Sequence, residues 1–301
     1  MPHESESAAA RDARMVAAVL EWFAQAGRDL PWRGGSATPW GVLVSEIMLQ
    51  QTPVVRVEPV WREWMARWPA PVDLAAAEQA DAVRAWGRLG YPRRAKRLWE
   101  CAGALVDRHG GEVPRTYEEL VALPGIGDYT AAAVVAFAHG GRSVVLDTNV
   151  RRVIGRAWHG RALPAAHQTV GERAHAASLV PRDDAGAAEW AVASMELGAL
   201  VCTARVARCD ECPLARECAW LAQGRPGLDL APRRTQPWHG TDRQVRGRVM
   251  ALLRAASSPV NVTGHATLQD VEPGQLDRCL EGLLADGLIR LDDADRGTYT
   301  L

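Results

Sequence analysis

Four cysteines crowd one short segment of the chain and could hold a metal centre. Thiolates bind zinc or an iron–sulfur cluster, and in a cytoplasmic chain such crowding favours metal binding over disulfides. Zinc sites usually pair cysteines across two short gaps, whereas here one short gap is flanked by longer ones. The spacing favours a [4Fe–4S] cluster and leaves a zinc site or structural cysteines as alternatives. The four residues, spaced C-x6-C-x2-C-x5-C, are Cys202, Cys209, Cys212 and Cys218.

Asp147 is a second candidate for chemistry. It follows an apolar run and precedes a helical segment that continues to Trp158. We therefore predict that it lies at or near a helix N-cap, where backbone N–H groups and the helix dipole favour an ionised carboxylate. The alternative is a capping aspartate without a chemical role.

Glu46 lies in the opposite environment, within a segment that is apolar on most helical faces. Burial there would raise its pKa and keep a proton available; the alternative is a glutamate at the surface edge of a core helix. An acid together with an anion could break an N-glycosidic bond, as paired carboxylates do in glycoside hydrolases. The sequence leaves open whether Glu46 and Asp147 share one pocket.

A glycine-containing turn lies at residues 123–127, between predicted helices at 116–122 and 128–138. Gly125 and Gly127 allow a tight turn whose backbone N–H groups could bind a DNA phosphate at the start of the second helix. An ordinary structural turn is the alternative.

The elements that must position these residues are mostly helices. Apolar residues recur at helical spacing, and short breaks with glycine and proline separate the segments. The pattern predicts a mostly α protein. The helical segments lie at 15–26, 42–49, 98–106, 131–138 and 189–201.

The ends of the chain differ from its helical middle. Residues 1–10 are expected to form a disordered leader, and residues 223–242, rich in Pro, Gly and Arg, a linker. Residues 243–301 show two helices and a terminal hairpin, which predicts a small winged-helix-like α+β domain. Residues 237–243, with Arg246 and Arg248, could contact DNA or be an ordinary linker and core helix.

Charge and composition restrict the partners. The 301 residues carry a formal net charge of −1, and Lys96 is the only lysine among 35 basic residues. We find neither a membrane-spanning run nor a signal pattern, so we expect a cytoplasmic protein. Basic clusters could contact phosphates or form solvated helix faces. The clusters are Arg93, Arg94, Lys96 and Arg97, and Arg142, Arg151, Arg152 and Arg156.

In their order, these motifs resemble the helix–hairpin–helix DNA glycosylases of the endonuclease III and MutY type. The motifs are LPGIG, LDTNV at residues 146–150 and the cysteine spacing; VSEIMLQQTP at 44–53 and the segment 87–97 resemble the MutY adenine branch. The resemblance covers residues 15–222. It implies a [4Fe–4S] cluster, double-stranded DNA as partner and a target base that leaves the helical stack.

The resemblance also implies two lobes. Residues 11–31 and 139–222 would form a cluster lobe, and residues 32–138 a helical barrel lobe that carries the helix–hairpin–helix.

Residue roles follow from the same resemblance. Glu46 would protonate the flipped adenine at N7, Asp147 would stabilise or capture the oxocarbenium-like sugar, and Asn149 and Tyr129 would assist. The DNA-binding residues would be Gln50, Gln51, Thr52, Tyr91, Gly125 and Gly127, with Gln51 and Tyr91 wedged near the opposite base. The cysteines would hold the cluster.

The residue inventory predicts hydrolysis without strand cleavage. The endonuclease III branch has a lysine in the hairpin that forms a Schiff base with the sugar. Here Tyr129 occupies that position, and Lys96 lies in a different helix. Apart from an amine at the N-terminus, no candidate nucleophile of this kind remains.

The sequence thus predicts a monomeric, monofunctional base excision repair enzyme, in the bacterial cytoplasm at the nucleoid, that removes adenine opposite 8-oxoguanine or guanine. The region after residue 240 does not resemble the Nudix-like domain of many MutY proteins, so recognition of 8-oxoguanine stays open. The alternatives are a thymine or uracil glycosylase, an endonuclease III-like lyase, and a non-catalytic iron–sulfur DNA-binding regulator.

Overall fold

The computed structural model describes residues 7–34, 37–227, 239–293 and 297–301. Helices make up most of the described chain, which confirms the mostly α fold class. No described helix is both long and apolar enough to cross a bilayer. In chain order the elements are α1 (Ala8–Ala26), α2 (Pro39–Leu49), α3 (Val54–Arg67), α4 (Pro71–Ala75), α5 (Gln79–Ala85), α6 (Arg93–His109), α7 (Tyr117–Val121), α8 (Asp128–His139), α9 (Thr148–Ala157), α10 (Val170–Leu179), α11 (Asp184–Leu200), a 3-10 turn (Cys209–Glu211), α12 (Ala219–Ala222), α13 (Asp242–Ala255), β1 (Val260–Asn261), a second 3-10 turn (Ala266–Leu268), α14 (Pro273–Ala285), β2 (Arg290–Asp293) and β3 (Thr298–Thr300).

The chain divides into two compact units whose boundaries differ from those expected for the lobes. Unit 1 takes the described residues of Met1–Glu46, Pro114–Ala122 and Ile126–Pro232, and unit 2 those of Ile47–Val113, Leu123–Gly125 and Arg233–Leu301. Helix α8, expected in the barrel lobe, belongs to unit 1 because Ala132 and Ala136 pack against Ala191 of α11. Most of the expected linker, residues 228–238, lies outside the described residues.

The expected disordered leader is wrong from residue 8 onward. Helix α1 begins at Ala8, and the Ser7 side chain caps it by accepting a hydrogen bond from the Ala10 N–H at 3.2 Å. A serine at this position satisfies an N–H group that would otherwise lack a partner. Residues 1–6 lie outside the described residues.

Helix α11 is the centre of unit 1 and packs against α9, α1 and α8. Its apolar residues, such as Trp190 and Leu197, share a buried cluster with Val150 and Val153 of α9. Gly198 brings these helices close together, because a Cβ atom there would lie 2.7 Å from the Cβ of Asn149. This contact fixes the first turn of α9, which follows Asp147.

The hairpin between α7 and α8 has the predicted boundaries. Gly125 adopts a φ of +79°, and a Cβ atom there would lie 2.8 Å from the Cβ of Arg97. Both observations require glycine at this position. Gly127 is the N-cap of α8 and provides no side-chain cap.

The C-terminal part of unit 2 has the predicted winged-helix-like arrangement, with one strand that the sequence analysis missed. The sheet has the order β1-β3-β2, and both pairings are antiparallel. Strand β1 has only two residues, too few for an alternating pattern to reveal it. Two hydrogen bonds hold this part against α5, from Arg254 Nε to the Val83 carbonyl at 3.1 Å and from Gln79 Nε2 to the Gly287 carbonyl at 2.7 Å.

Arg94 fixes the C-terminal end of α2. Its guanidinium donates to the carbonyls of Ile47, Met48 and Gln50 at 2.9, 3.1 and 2.6 Å. It also donates to Thr52 Oγ1 at 3.1 Å and lies 5.3 Å from the centre of the Trp86 ring. One side chain thereby satisfies several carbonyls that a helix end leaves without partners.

We predict that Arg94→Met lowers the free energy of unfolding by about 2–4 kcal/mol, because it leaves these carbonyls without their donor. The neighbouring Arg93 forms only an exposed ion pair with Asp286 at 3.3 Å. Arg93→Ala is therefore the matched control and should cost under about 1 kcal/mol. Chemical denaturation of both variants measures the difference; equal losses would contradict the capping role.

Candidate active site and cysteine loop

Glu46 lies on the buried face of α2, with 5% of its surface exposed. Burial raises the pKa of Glu46 to about 7; the Tyr129 hydroxyl and Arg33 oppose this rise, and the negative charge of Asp147 adds to it. The predicted desolvation is therefore present. Near neutral pH this carboxyl group can hold a proton and release it.

Tyr129 connects α8 to this glutamate. Its hydroxyl donates to Glu46 Oε2 at 3.0 Å and lies 3.5 Å from Met195 Sδ. Burial and the charges of Glu46 and Asp147 raise the pKa of Tyr129 well above its usual value. Tyr129 is therefore a neutral donor that orients the Glu46 carboxyl group. Because the charges of Glu46 and Asp147 both raise the pKa of Tyr129, both carboxyl groups act on the same hydroxyl.

Asp147 is the N-cap of α9, as predicted. Its Oδ1 accepts from the Val150 N–H at 2.7 Å, and its Oδ2 accepts from Asn149 Nδ2 at 2.8 Å. Burial nevertheless raises the pKa of Asp147, against the effect of these hydrogen bonds. The sequence indicated only the lowering effect of the cap. A carboxylate that receives several donors is suited to remain charged beside a developing cation.

Asn149 is held in one orientation by Arg152. The Arg152 guanidinium donates to Asn149 Oδ1 at 2.7 Å, which directs the amide nitrogen of Asn149 to Asp147. Arg152 also donates to the carbonyls of Gly198 at 2.6 Å and Cys202 at 2.7 Å. A continuous chain of hydrogen bonds therefore joins the capping aspartate to the first cysteine.

A buried ion cluster lies in the same unit. Glu196 of α11 is 1% exposed and accepts from Arg28 Nε at 2.6 Å and from Arg33 Nη2 at 2.9 Å. Burial alone would raise the pKa of Glu196, but the two guanidinium groups lower it to about 2. Glu196 thereby fixes Arg33, whose charge acts on both Glu46 and Tyr129.

The four cysteines of the predicted metal centre line one cavity in unit 1, together with Val201, Trp220 and Leu221. None of the four forms a disulfide bond, and Arg156 Nη1 lies 3.4 Å from Cys202 Sγ. Burial, with the charge of the other thiols, raises the pKa of Cys212 to about 12. Thiolates crowded in this way require a compensating positive charge, which fits a metal-containing group. Among the described residues, no three ligating side chains converge on a single metal ion.

The other two cysteines, Cys101 and Cys279, are buried and do not line this cavity.

The predicted DNA-binding residues of unit 2 divide into exposed and buried ones. Gln51 and Tyr91 are exposed, and the Tyr91 hydroxyl donates to Gln51 Oε1 at 3.2 Å. Both have positive φ angles, of 55° and 49°, which are rare outside glycine. Thr52 is 6% exposed and its hydroxyl is bonded to Arg94, so this side chain holds the loop in place rather than facing solvent. Gln50 is half-buried.

Most of the basic clusters bind other parts of the protein. Arg151 pairs with Glu172 at 2.7 Å, Lys96 pairs with Glu100, and Arg156 is 1% exposed. These three side chains therefore serve as internal donors, whereas Arg93, Arg97 and Arg142 are exposed. For the exposed three, both a phosphate contact and a solvated helix face stay open.

The sequence indicated no role for Arg28, Arg33 or Glu196, and it placed Arg152 only in a basic cluster. One signal was available, because Glu196, like Glu46, is an acidic residue in an apolar helix. The arginines that partner it lie far away in the sequence and carry no comparable local signal.

The class of this protein is that of the helix–hairpin–helix DNA glycosylases. Four features of the chain indicate it: the helix–hairpin–helix, the capping Asp147, the buried Glu46 and the loop of four cysteines. Residues 44–175 match the family model of the HhH-GPD superfamily base excision DNA repair proteins. An adenine DNA glycosylase of Mycobacterium tuberculosis is 51% identical over 90% of this chain and 88% of its own length. The chain belongs to this superfamily and, within it, to the MutY-type glycosylases.

Two further comparisons support membership of the superfamily. An adenine DNA glycosylase of Mycolicibacterium smegmatis is 49% identical over 90% of this chain and 91% of its own length. The solved structure of a thermostable thymine-DNA glycosylase aligns with a TM-score of 0.64 and 27% identity, over 71% of this chain and 99% of that one.

We predict that Glu196→Gln lowers the free energy of unfolding by about 2–4 kcal/mol, because it removes the buried carboxylate that pairs with the half-buried guanidinium groups of Arg28 and Arg33. Glu189 is an exposed glutamate on the same helix, and Glu189→Gln should change stability by under about 0.5 kcal/mol. Thermal and denaturant unfolding of the two variants provide the measurement. A loss in Glu196→Gln no larger than in the control would refute a structural ion cluster.

Proposed function

We propose that this enzyme hydrolyses the N-glycosidic bond of adenine paired with 8-oxoguanine or guanine in double-stranded DNA. The observation that carries the proposal is a pair of buried carboxyl groups with different partners. Glu46 has one phenol donor and a pKa of about 7, whereas Asp147, at a helix cap, accepts from a backbone N–H and from Asn149. The names of the mycobacterial relatives support adenine as the base.

In the proposed reaction, protonated Glu46 gives its proton to N7 of the flipped adenine, which leaves with the electrons of the C1′–N9 bond. The sugar becomes positively charged, and ionised Asp147 stabilises it electrostatically or by transient capture. Water then adds to C1′ and loses a proton. Tyr129 keeps the Glu46 carboxyl group in place, and Asn149 keeps Asp147 in place.

DNA binding is proposed for two further groups of residues. Gln51 and Tyr91 would enter the duplex beside the opposite base and compensate for the lost stacking of the flipped adenine. The N–H groups at Gly125, Gly127 and the uncapped start of α8 would bind a phosphate of the backbone.

We also propose that Cys202, Cys209, Cys212 and Cys218 hold a [4Fe–4S] cluster. The residues fit, because four thiols surround one cavity and Arg156 lies beside them. When bound, the cluster supplies cross-links that close the loop between residues 202 and 218. Through Arg152, this loop then supports the carbonyl and amide groups that orient Asp147.

Strand cleavage is not part of the proposed reaction. Tyr129 occupies the position of the lyase lysine and is bonded to Glu46. Lys96 lies on α6 and is paired with Glu100. We further propose that the enzyme acts as a monomer on nucleoid DNA in the bacterial cytoplasm.

The second candidate function is removal of thymine or uracil opposite guanine. The structural likeness to a thymine-DNA glycosylase favours it, at 27% identity. The 51% identity to an adenine glycosylase favours the first proposal more strongly. A non-catalytic regulator is disfavoured, because it gives no use to a buried acid beside a capped carboxylate.

The deciding experiment measures base release from duplexes with one adenine opposite 8-oxoguanine or guanine, or one thymine opposite guanine. Protein with iron and acid-labile sulfide in the ratio of the cluster is used, and strands are analysed with and without hot alkali. We expect adenine release, and strand breaks only after alkali. Breaks without alkali would contradict the monofunctional reaction, and release of thymine alone would contradict the choice of base.

Asp147→Asn should keep DNA affinity within about threefold and lower the single-turnover rate of adenine release at least about 1,000-fold, because an uncharged amide cannot stabilise the cationic sugar. Asp183→Asn, at the N-cap of α11, removes a capping charge outside the site and is the matched control. An active Asp147→Asn enzyme would refute the assignment.

Tyr129→Phe should move the pH dependence of base release upward. Because Glu46 must be protonated, the rate falls as the pH rises through its pKa, near 7. The Tyr129 hydroxyl stabilises the charged carboxylate, so its loss raises this pKa and shifts the basic limb to higher pH. Single-turnover rates across pH provide the measurement, and Tyr117→Phe, which loses a hydrogen bond to Asp128, is the control. An unmoved limb would contradict the hydrogen bond.

A further inference from the structure

Arg243, in the first turn of α13, contacts the exposed ring of Tyr91, whose hydroxyl is bonded to Gln51. Its guanidinium carbon lies 5.6 Å from the centre of the Tyr91 ring, and that of Arg94 lies 5.4 Å from the same ring. Arg94 is half-buried and donates to the carbonyls at the end of α2, whereas Arg243 is exposed. The ring therefore lies against a structural arginine and a second arginine that is open to solvent.

The start of α13 is held in a defined position. The Thr241 side chain caps the helix, and Gln244 Oε1 accepts from the Gly240 N–H at 2.8 Å. Gln275 Nε2 of α14 donates to the Gly240 carbonyl and to Asp242 Oδ1, both at 2.9 Å. These bonds fix the backbone of the first turn, which carries Arg243.

The other arginines in the middle and at the end of α13 serve its own packing. Arg246 binds Asp286, Arg248 binds Asp270 and Arg254 donates to the Val83 carbonyl. From the sequence, Arg243, Arg246 and Arg248 are all candidate DNA contacts, but Arg246 and Arg248 form ion pairs within the C-terminal part of unit 2. Only Arg243 of these four contacts the Tyr91 ring.

A guanidinium stacked on an aromatic ring keeps its N–H groups at the edge for hydrogen bonds. These donors suit phosphate oxygens and the acceptors at the major-groove edge of a purine. Both kinds of acceptor occur in DNA beside a residue that enters the duplex. The left-handed backbone of Gln51 and Tyr91 independently marks this surface, because such strain concentrates at functional sites.

We propose that Arg243 is a DNA-binding residue that extends the Gln51–Tyr91 surface, so that the C-terminal domain takes part in recognising the strand opposite the target adenine. The proposal rests on the proposed function for the identity of the duplex. Its ligand is a hydrogen-bond acceptor on that strand, either a backbone phosphate or the opposite base.

The test uses the full-length, cluster-containing protein and duplexes with 2′-fluoroadenosine, which resists hydrolysis, opposite 8-oxoguanine, guanine or thymine. Dissociation constants are measured over a range of salt concentrations for wild type, Arg243→Ala, Arg243→Lys and Arg248→Ala. The last variant removes the same charge from the same helix, away from Tyr91. Thermal unfolding shows that all variants are folded.

We expect Arg243→Ala to weaken binding about tenfold and Arg248→Ala less than about twofold. A phosphate contact predicts equal weakening for all opposite bases and rescue by Arg243→Lys. It also predicts that the slope of log Kd against log salt concentration falls by about one. Weakening confined to 8-oxoguanine, without rescue by lysine, identifies a base contact. Equal affinities for Arg243→Ala and Arg248→Ala would overturn the proposal. Because these duplexes are not cleaved, that result is independent of whether wild type releases adenine.

Discussion

Burial of charge is the constraint on which the rest of this structure depends. Glu46, Asp147, Glu196 and Arg152 all lie in regions of low solvent access, where an ionised group without partners is strongly unfavourable. Each of these groups therefore has a specific hydrogen-bond donor or acceptor. For the two glutamates, the number of partners decides whether the carboxyl group is ionised. Glu196 has two guanidinium partners and is ionised, whereas Glu46 has one phenol and keeps a proton near neutral pH.

Arginine is suited to this task, and the chain uses it almost exclusively. Its guanidinium has several donors in a fixed plane, so that one side chain can satisfy groups from different elements. Arg94 binds three carbonyls at the end of α2, and Arg152 binds an amide and two carbonyls from α9, α11 and the cysteine loop. A lysine, with a single nitrogen, could not replace either of them.

The sequence predicts those features whose signal is local. Asp147 after an apolar run, Glu46 within an apolar helix and the boundaries of the hairpin are as predicted, because capping, amphipathicity and glycine turns depend on residues close in sequence. The arginine contacts could not be predicted in this way. Arg28 and Glu196 are 168 positions apart, and basic runs look the same whether they face phosphates or carbonyls. Thr52 shows the same limit, because its place in a DNA-binding motif does not indicate that its side chain is buried.

The left-handed backbone at Gln51 and Tyr91 affects how these positions can change. Each residue is held in a conformation that costs about 1–2 kcal/mol outside glycine. Glycine at either position would relax the backbone and remove the side chain that contacts its neighbour. Such a replacement would also increase the conformational entropy of the unfolded chain, which opposes the gain from the relaxed backbone. The two residues are therefore held in place by a balance between backbone strain and the contact of their side chains.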